Sequence, residues 1–274
     1  MKINPFLNSD RQLRNGWWIL IFFLVLAVFL MPVLFTAQKN NMEVSIGIQA
    51  IIIVLASMIC QRLRRKPLFE MFGRFDIRWL KEFYMGGLIG SALMLVPALI
   101  MGGFGWASWQ WNPKGISTIL PNLLLFAGVA AAEELLFRGF VFQRLISGLG
   151  QWIAQLIIAA YFLLTHLNNP GMTGSVKAMA SINIFLASML FGLAFIQTKS
   201  LAMPLGLHWM ANWVQGGILG LGVSGSEQSG LWIPAFGDAP VWLTGGQFGL
   251  EASIPGLICV VIALLMFYIW KPTK

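Results

Sequence analysis

The sequence predicts an all-α fold, a polytopic bundle of about eight transmembrane helices with both termini in the cytoplasm. Three observations carry that expectation. Hydrophobic residues fill 58% of the 274 positions and charged residues only 10%, against about 25% charged in soluble domains, so lipid is the main solvent to reason about. The apolar residues gather into uncharged runs near the ~20 residues that cross a bilayer as a helix. The alternating pattern of a membrane barrel is absent, which leaves helices as the structure that satisfies its own backbone in hydrocarbon.

Eight runs follow in order: Trp17 to Phe35, Val44 to Cys60, Phe83 to Phe104, Ile116 to Phe142, Trp152 to Leu167, Ala178 to Gln197, Leu201 to Leu221 and Ser253 to Trp270. The first follows a basic segment, but it exceeds the roughly 7–15 apolar residues of a signal peptide and Phe35 spoils a small-x-small cleavage site at Ala37, so it reads as an uncleaved anchor. Between the second and third, Arg62 to Glu82 is basic and carries Leu68, Phe69, Met71, Phe72, Phe75 and Trp79. It reads as the main cytoplasmic loop, part of it an interfacial helix. The fourth run is interrupted by charges and the fifth is short. The segment Gly222 to Ala252, rich in Gly, Pro and Trp and carrying Glu227, Asp238 and Glu251, reads as a packed outer cap with no assigned chemistry. This organisation divides the chain into anchor spans and basic loop (1–115), a core (116–222), and an outer loop with a final span (223–274). No internal repeat is evident, which argues against an inverted-repeat transporter.

Charge placement sets orientation. Eighteen Lys and Arg face ten Asp and Glu, a formal charge of +8. With the amino terminus inside, only Lys39, Lys114 and Lys177 fall outside, so the positive-inside rule favours cytoplasmic termini and a site in the inner (plasma) membrane that opens toward the cytoplasm. The basic residues flank apolar runs instead of forming a solvated face, so the partner is the bilayer and not a nucleic acid. Cys60 and Cys259 lie at or inside apolar runs and read as buried thiols, not a disulfide framework.

Removing loop and span-end residues leaves Glu133, Glu134, Arg138, His166, His208 and Asn212 as the ionisable or strongly polar groups within apolar helices. Such groups are functional candidates by default. Glu134 and Arg138 are i,i+4, the acid on the amino-terminal side, which suits an intrahelical ion pair. Glu133 points about 100° away, and Ala130, Ala131 and Ala132 before it allow close helix approach. His208 and Asn212 share a face, and Phe162 lies one turn before His166. A carboxylate that takes a proton from water, an imidazole that orients that water, and a His plus Asn donating to an oxyanion make a hydrolytic site for an amide or ester. The same residues read blandly are a structural ion pair and interhelical glue. A zinc-protease H-E-x-x-H, a Walker loop and a dinucleotide glycine fingerprint are all absent.

Glu133-Glu134-Leu-Leu-Phe-Arg138 resembles the E-E-x-x-x-R motif of the type II CAAX prenyl endopeptidase and bacteriocin-processing family (CPBP, or Abi). Phe162-Leu-Leu-Thr-His166 resembles its F-x-x-x-H motif and His208-Trp-Met-Ala-Asn212 its H-x-x-x-N motif, all in order between about Pro121 and Val214. The resemblance implies an intramembrane endopeptidase acting on a membrane-embedded or lipidated peptide. Glu133 would activate water with His166 holding it, His208 and Asn212 would form the oxyanion side, and Glu134 and Arg138 would support them. Family members have been described as metal-free glutamate proteases and as metalloproteases. No cofactor is favoured, while zinc on Glu133, His166 and His208 is permitted by the ligand types. The chain ends Lys-Pro-Thr-Lys, which is not a prenylation motif. Two other classes compete: a proton-coupled transporter using the same groups as a relay, and a non-catalytic bacteriocin-immunity or scaffold protein.

Overall fold

A computed structural model describes residues 4–270, which leaves Lys2, Lys271 and Lys274 of the charge argument outside the described residues. The chain forms α1 (Asn15–Lys39), α2 (Ile46–Leu63), α3 (Phe69–Phe72), α4 (Ile77–Gly103), β1 (Ala107–Trp111), α5 (Ile119–Glu134), α6 (Phe140–Leu149), α7 (Gln151–His166), α8 (Gly174–Thr198), α9 (Ala202–Asn212), β2 (Trp232–Phe236), α10 (Val241–Thr244) and α11 (Ile254–Ile269). Short polar side chains start several of these elements. The Ser45 hydroxyl accepts from Ile48 N–H, Asp76 from Trp79 N–H and Ser253 from Gly256 N–H, each satisfying a donor that the first helical turn would orphan.

Five helical stretches are long and apolar enough to cross a membrane: Asn15–Lys39, Ile46–Leu63, Phe69–Gly103, Gly115–Leu149 and Gly174–Thr198. Gln151–His166 and Ile254–Ile269 are shorter apolar helices, and α9 is shorter still. In α1 only Phe22 and Leu26 are buried, while Phe35, Leu99 and Ile269 are more than 70% exposed. An apolar surface of that extent is stable against acyl chains and not against water, so the chain is an integral membrane protein.

Two features depart from a bundle of plain α-helices. β1 pairs antiparallel with β2, from Ala107 opposite Phe236 to Trp111 opposite Trp232, tying two distant connections into a small ribbon. Two π-helical segments, Leu135–Gly139 and Trp213–Ile218, follow α5 and α9 directly. Each begins directly after a predicted motif residue, Glu134 in one case and Asn212 in the other. Such π turns commonly occur at functional sites, where one extra residue re-aims the side chains beyond it.

Glycines fix α9 against α4. A Cβ on Gly86 would collide with the Met203 carbonyl, one on Gly90 with the Leu207 carbonyl, and one on Gly206 with the Phe83 carbonyl. Gly86 and Gly90 form a small-xxx-small row that lets the two backbones touch, the packing that substitutes for a hydrophobic drive inside lipid. The helix carrying His208 and Asn212 is thereby held by backbone contact at these three positions.

Candidate active site

Arg138 is fully buried in the π segment after α5. Its Nη1 donates to Glu134 Oε1 at 3.2 Å, and its Nη2 donates to the Ser188 carbonyl at 3.1 Å and the Ser188 hydroxyl at 2.6 Å. The guanidinium lies 4.9 Å from the Phe162 ring centre, 5.2 Å from Phe191 and 5.7 Å from Phe137. A charge this far from water is retained only when paired and hydrogen-bonded, and the aromatic faces add to that compensation. Arg138 therefore fastens α5 to α8 while balancing Glu134.

Glu134 Oε1 also meets His208 Nδ1 at 2.8 Å. The imidazole stacks on Phe191, ring centres 4.8 Å apart and planes 12° from parallel. These two contacts fix the ring and leave Nε2 free of Glu134. That nitrogen lies 3.8 Å from Glu133 Oε2. The two adjacent carboxylates thus occupy different surroundings: the Glu134 side chain is 1% exposed and that of Glu133 25%. The divergence follows from the helical step between neighbouring residues.

His166 ends α7. Its Nδ1 lies 2.7 Å from the Phe162 carbonyl and 3.2 Å from the Thr165 hydroxyl. Because a carbonyl can only accept, the proton of the neutral ring belongs on Nδ1, and Nε2 presents a lone pair. Phe162 and His166 rings pack at 4.5 Å between centres, so the aromatic one turn earlier orients the imidazole.

Glu133, His166, His208 and Asn212 all line one cavity of about 570 Å³, whose walls are mostly apolar, among them Leu93, Phe126 and Phe191. Arg138 lies behind that wall. The structure thus brings the candidates from three separate spans around a single space. Among the described residues no three His, Cys, Asp or Glu side chains are grouped to hold a metal.

Residues 113–214 match the Rce1-like family of type II CAAX prenyl endopeptidases. The matched stretch begins before α5 and ends within the π segment after α9, so it holds every residue of the three motifs. No curated protein matches the chain. The flanking α1, α2, α4 and α11 lie outside the Rce1-like match, yet α4 is what holds α9 in place.

Several cavity residues escaped the sequence reading. Asn183 and Gln215 line the chamber from two of the hydrophobic runs, and Ser188 binds Arg138 from the same helix as Asn183. Extending the search for polar groups to uncharged amides and hydroxyls within spans reaches all three. Glu251 is different. It sits in the outer connection that carried no assigned chemistry, yet it lines the cavity. Its carboxylate accepts from Ser224 N–H at 2.6 Å, the Ser224 hydroxyl at 2.8 Å and Gln215 Nε2 at 3.4 Å. Burial pushes the Glu251 carboxyl above the ordinary carboxylate range, against the opposing pull of the Ser224 hydrogen bonds and of His166. The Ser224 carbonyl accepts from Asn169 Nδ2 at 2.9 Å, in the turn directly after His166. Glu251, Ser224 and Asn169 form a roof over the chamber that no helical spacing encodes.

Proposed function

We propose that the chain is an intramembrane endopeptidase that hydrolyses a peptide bond of a membrane-associated or lipidated peptide, with Glu133 as the base that activates water. The observation that carries this reading is the shared chamber lined by Glu133, His166, His208 and Asn212, inside a segment matching the Rce1-like family.

The chemistry balances on these side chains. Glu133 takes a proton from water held by the His166 Nε2 lone pair, and the water oxygen bonds to the scissile carbonyl carbon. Negative charge develops on the carbonyl oxygen, where the Asn212 amide donates together with the Nε2–H of His208 in its imidazolium form, the Nδ1–H being held by Glu134. Glu134 holds His208 through Nδ1, so that Nε2 is the nitrogen directed at substrate, and Arg138 holds Glu134 in place. Collapse of the tetrahedral species breaks the C–N bond, and the proton on Glu133 passes to the leaving amine. Neither a covalent intermediate nor a metal is required, and apolar walls suit an acyl or prenyl group next to the reacting bond.

The test is cleavage of a quenched fluorescent peptide ending in a prenylated Cys-a-a-X sequence by the purified protein in liposomes. Glu133→Gln should lower kcat by about 10²–10⁴-fold with an unchanged melting temperature. Turnover retained by that variant overturns the assignment. Activity lost in strong chelator and restored by zinc overturns the metal-free form of it.

The orientation belongs to the same proposal. Eight spans with the basic connections inside the inner membrane put the α7–α8 connection and the segment 219–253 outside. Asn169, Ser224, Ser226, Gln228 and Glu251, which line the cavity, come from those connections. Glu133 lies about 21 Å along the helix from Ile119. In that topology these connections roof the chamber on its outer side.

A further inference from the structure

At the end of the bundle remote from the roof, a second cavity of about 1030 Å³ is walled by Arg14, Arg64, Arg65, Lys66 and Arg144, with Trp17 and Trp18 from the start of α1. Among the described residues none of these five cations has a carboxylate within 4 Å. The nearby acid Glu70 acts on Arg64 and Arg144 only from beyond that distance, and its Oε2 accepts from Gln61 Nε2 at 3.2 Å. Arg64 and Arg144 each hold Cζ 5.8 Å from the centre of the same Phe140 ring. Arg144 reaches Asn15 Oδ1 only at 3.5 Å, and its Nε is buried with no partner among the described residues. Two guanidiniums against one aromatic ring, one carrying an unsatisfied buried donor, repel each other and ask for an anion. Guanidinium forks match phosphate oxygens in geometry and charge.

The rim identifies the source of that phosphate. Leu20, Leu63 and Leu149, all lining the cavity, are 46%, 58% and 49% exposed, so the charged pocket runs directly into the lipid-facing surface. Trp17 and Trp18 stand where aromatic side chains mark the membrane interface. A free phosphate would leave that apolar track unused, whereas a phospholipid fills both parts. We propose that this cavity binds the phosphate group of an anionic phospholipid, its acyl chains lying along Leu20, Leu63 and Leu149. The site is independent of the hydrolytic reading.

The full chain is delipidated, returned to nanodiscs of phosphatidylcholine with graded phosphatidylglycerol, and retained lipid is counted by native mass spectrometry. Wild type should retain phosphatidylglycerol selectively. Arg64→Gln with Arg144→Gln should weaken retention by about fivefold per cation removed, while Arg74→Gln, exposed and outside the cavity, leaves it unchanged. Should the double variant fail to fold, Arg65→Gln with Lys66→Gln, both exposed, reads the same loss. Equal retention by wild type and cavity variants overturns the proposal. Displacement of the lipid by millimolar inorganic phosphate, with no preference between the two phospholipids, assigns the cavity to a free anion and overturns it too.

Discussion

The floor and the roof of the chamber are built on different principles. The floor is helical: Glu134, Arg138 and His208 are locked by Ser188, Phe191 and the glycine contacts between α4 and α9. The roof is made of connections, where Glu251, Ser224 and Asn169 hold one another. Ser224 adopts a left-handed φ of 47°, a conformation that non-glycine residues leave unless held. A floor that fixes charges and a roof that spans irregular backbone suggest a division of labour, in which the floor sets chemistry and the roof sets access. Disrupting each in turn tests that division.

The largest effect is expected at the floor. Arg138→Met removes the cation that balances Glu134 and leaves a buried carboxylate and the Ser188 hydroxyl without their partner. Breaking a buried pair from one side costs about 3–5 kcal/mol, to be read as a large drop in melting temperature and in yield. Adding Glu134→Gln should recover part of that loss, because the uncompensated charge then disappears. Double-variant stability no better than the single one would show that Arg138 acts through packing against Phe162 and Phe191 instead.

A smaller loss is expected from the seam. Gly90→Ala forces a methyl into the Leu207 carbonyl, and overpacking of that kind costs about 1–3 kcal/mol. Since His208 follows Leu207 directly, activity should fall further than stability, by up to about 10²-fold for a 1 Å displacement of the site. Gly103→Ala, at the far end of the same helix with nothing within 4 Å of the added Cβ, is the control and should leave both readouts within ~0.5 kcal/mol of wild type. Equal effects from the two variants would remove the seam as a positioning element.

The same contrast governs what was legible in the sequence. The floor was readable because its spacings are local: Glu134 with Arg138, and His208 with Asn212, lie one helical turn apart, and an ionisable group stands out in an apolar run. Helices formed at the hydrophobic runs with shifted ends, as in α4, which starts at Ile77 and not Phe83, and five helical stretches, against eight runs, are long and apolar enough to cross a membrane. The pairing of His208 Nδ1 with Glu134 was not legible, because it depends on how two spans rotate against each other. Nor were the π segments, which no residue type marks. The β1–β2 ribbon and the roof require partners far apart in the chain, and Glu251 was passed over because it lies in a polar connection, where a carboxylate carries no signal of its own.

The smallest expected effect is at the roof, and it has a definite sign. With the Glu251 carboxyl raised above its ordinary range, folding favours the protonated form. The stability it contributes is then fully present below the ordinary glutamate pKa and is lost as pH rises through the raised value. Wild type should therefore melt at a lower temperature as pH increases across that window. Glu251→Gln keeps a side-chain oxygen for the Ser224 N–H but cannot ionise, so it should flatten the profile and match or exceed wild type at the alkaline end, with a change of about 1 kcal/mol, the scale of one hydrogen bond. His166 acts on the same carboxylate, so a His166→Asn control separates its share of the slope. If peptide cleavage by Glu251→Gln stays within a few-fold of wild type while Glu133→Gln is inactive, chemistry belongs to the floor alone. A loss in Glu251→Gln as deep as in Glu133→Gln would mean that the roof carboxylate takes part in the reaction, and the division between the two halves of the chamber would fail.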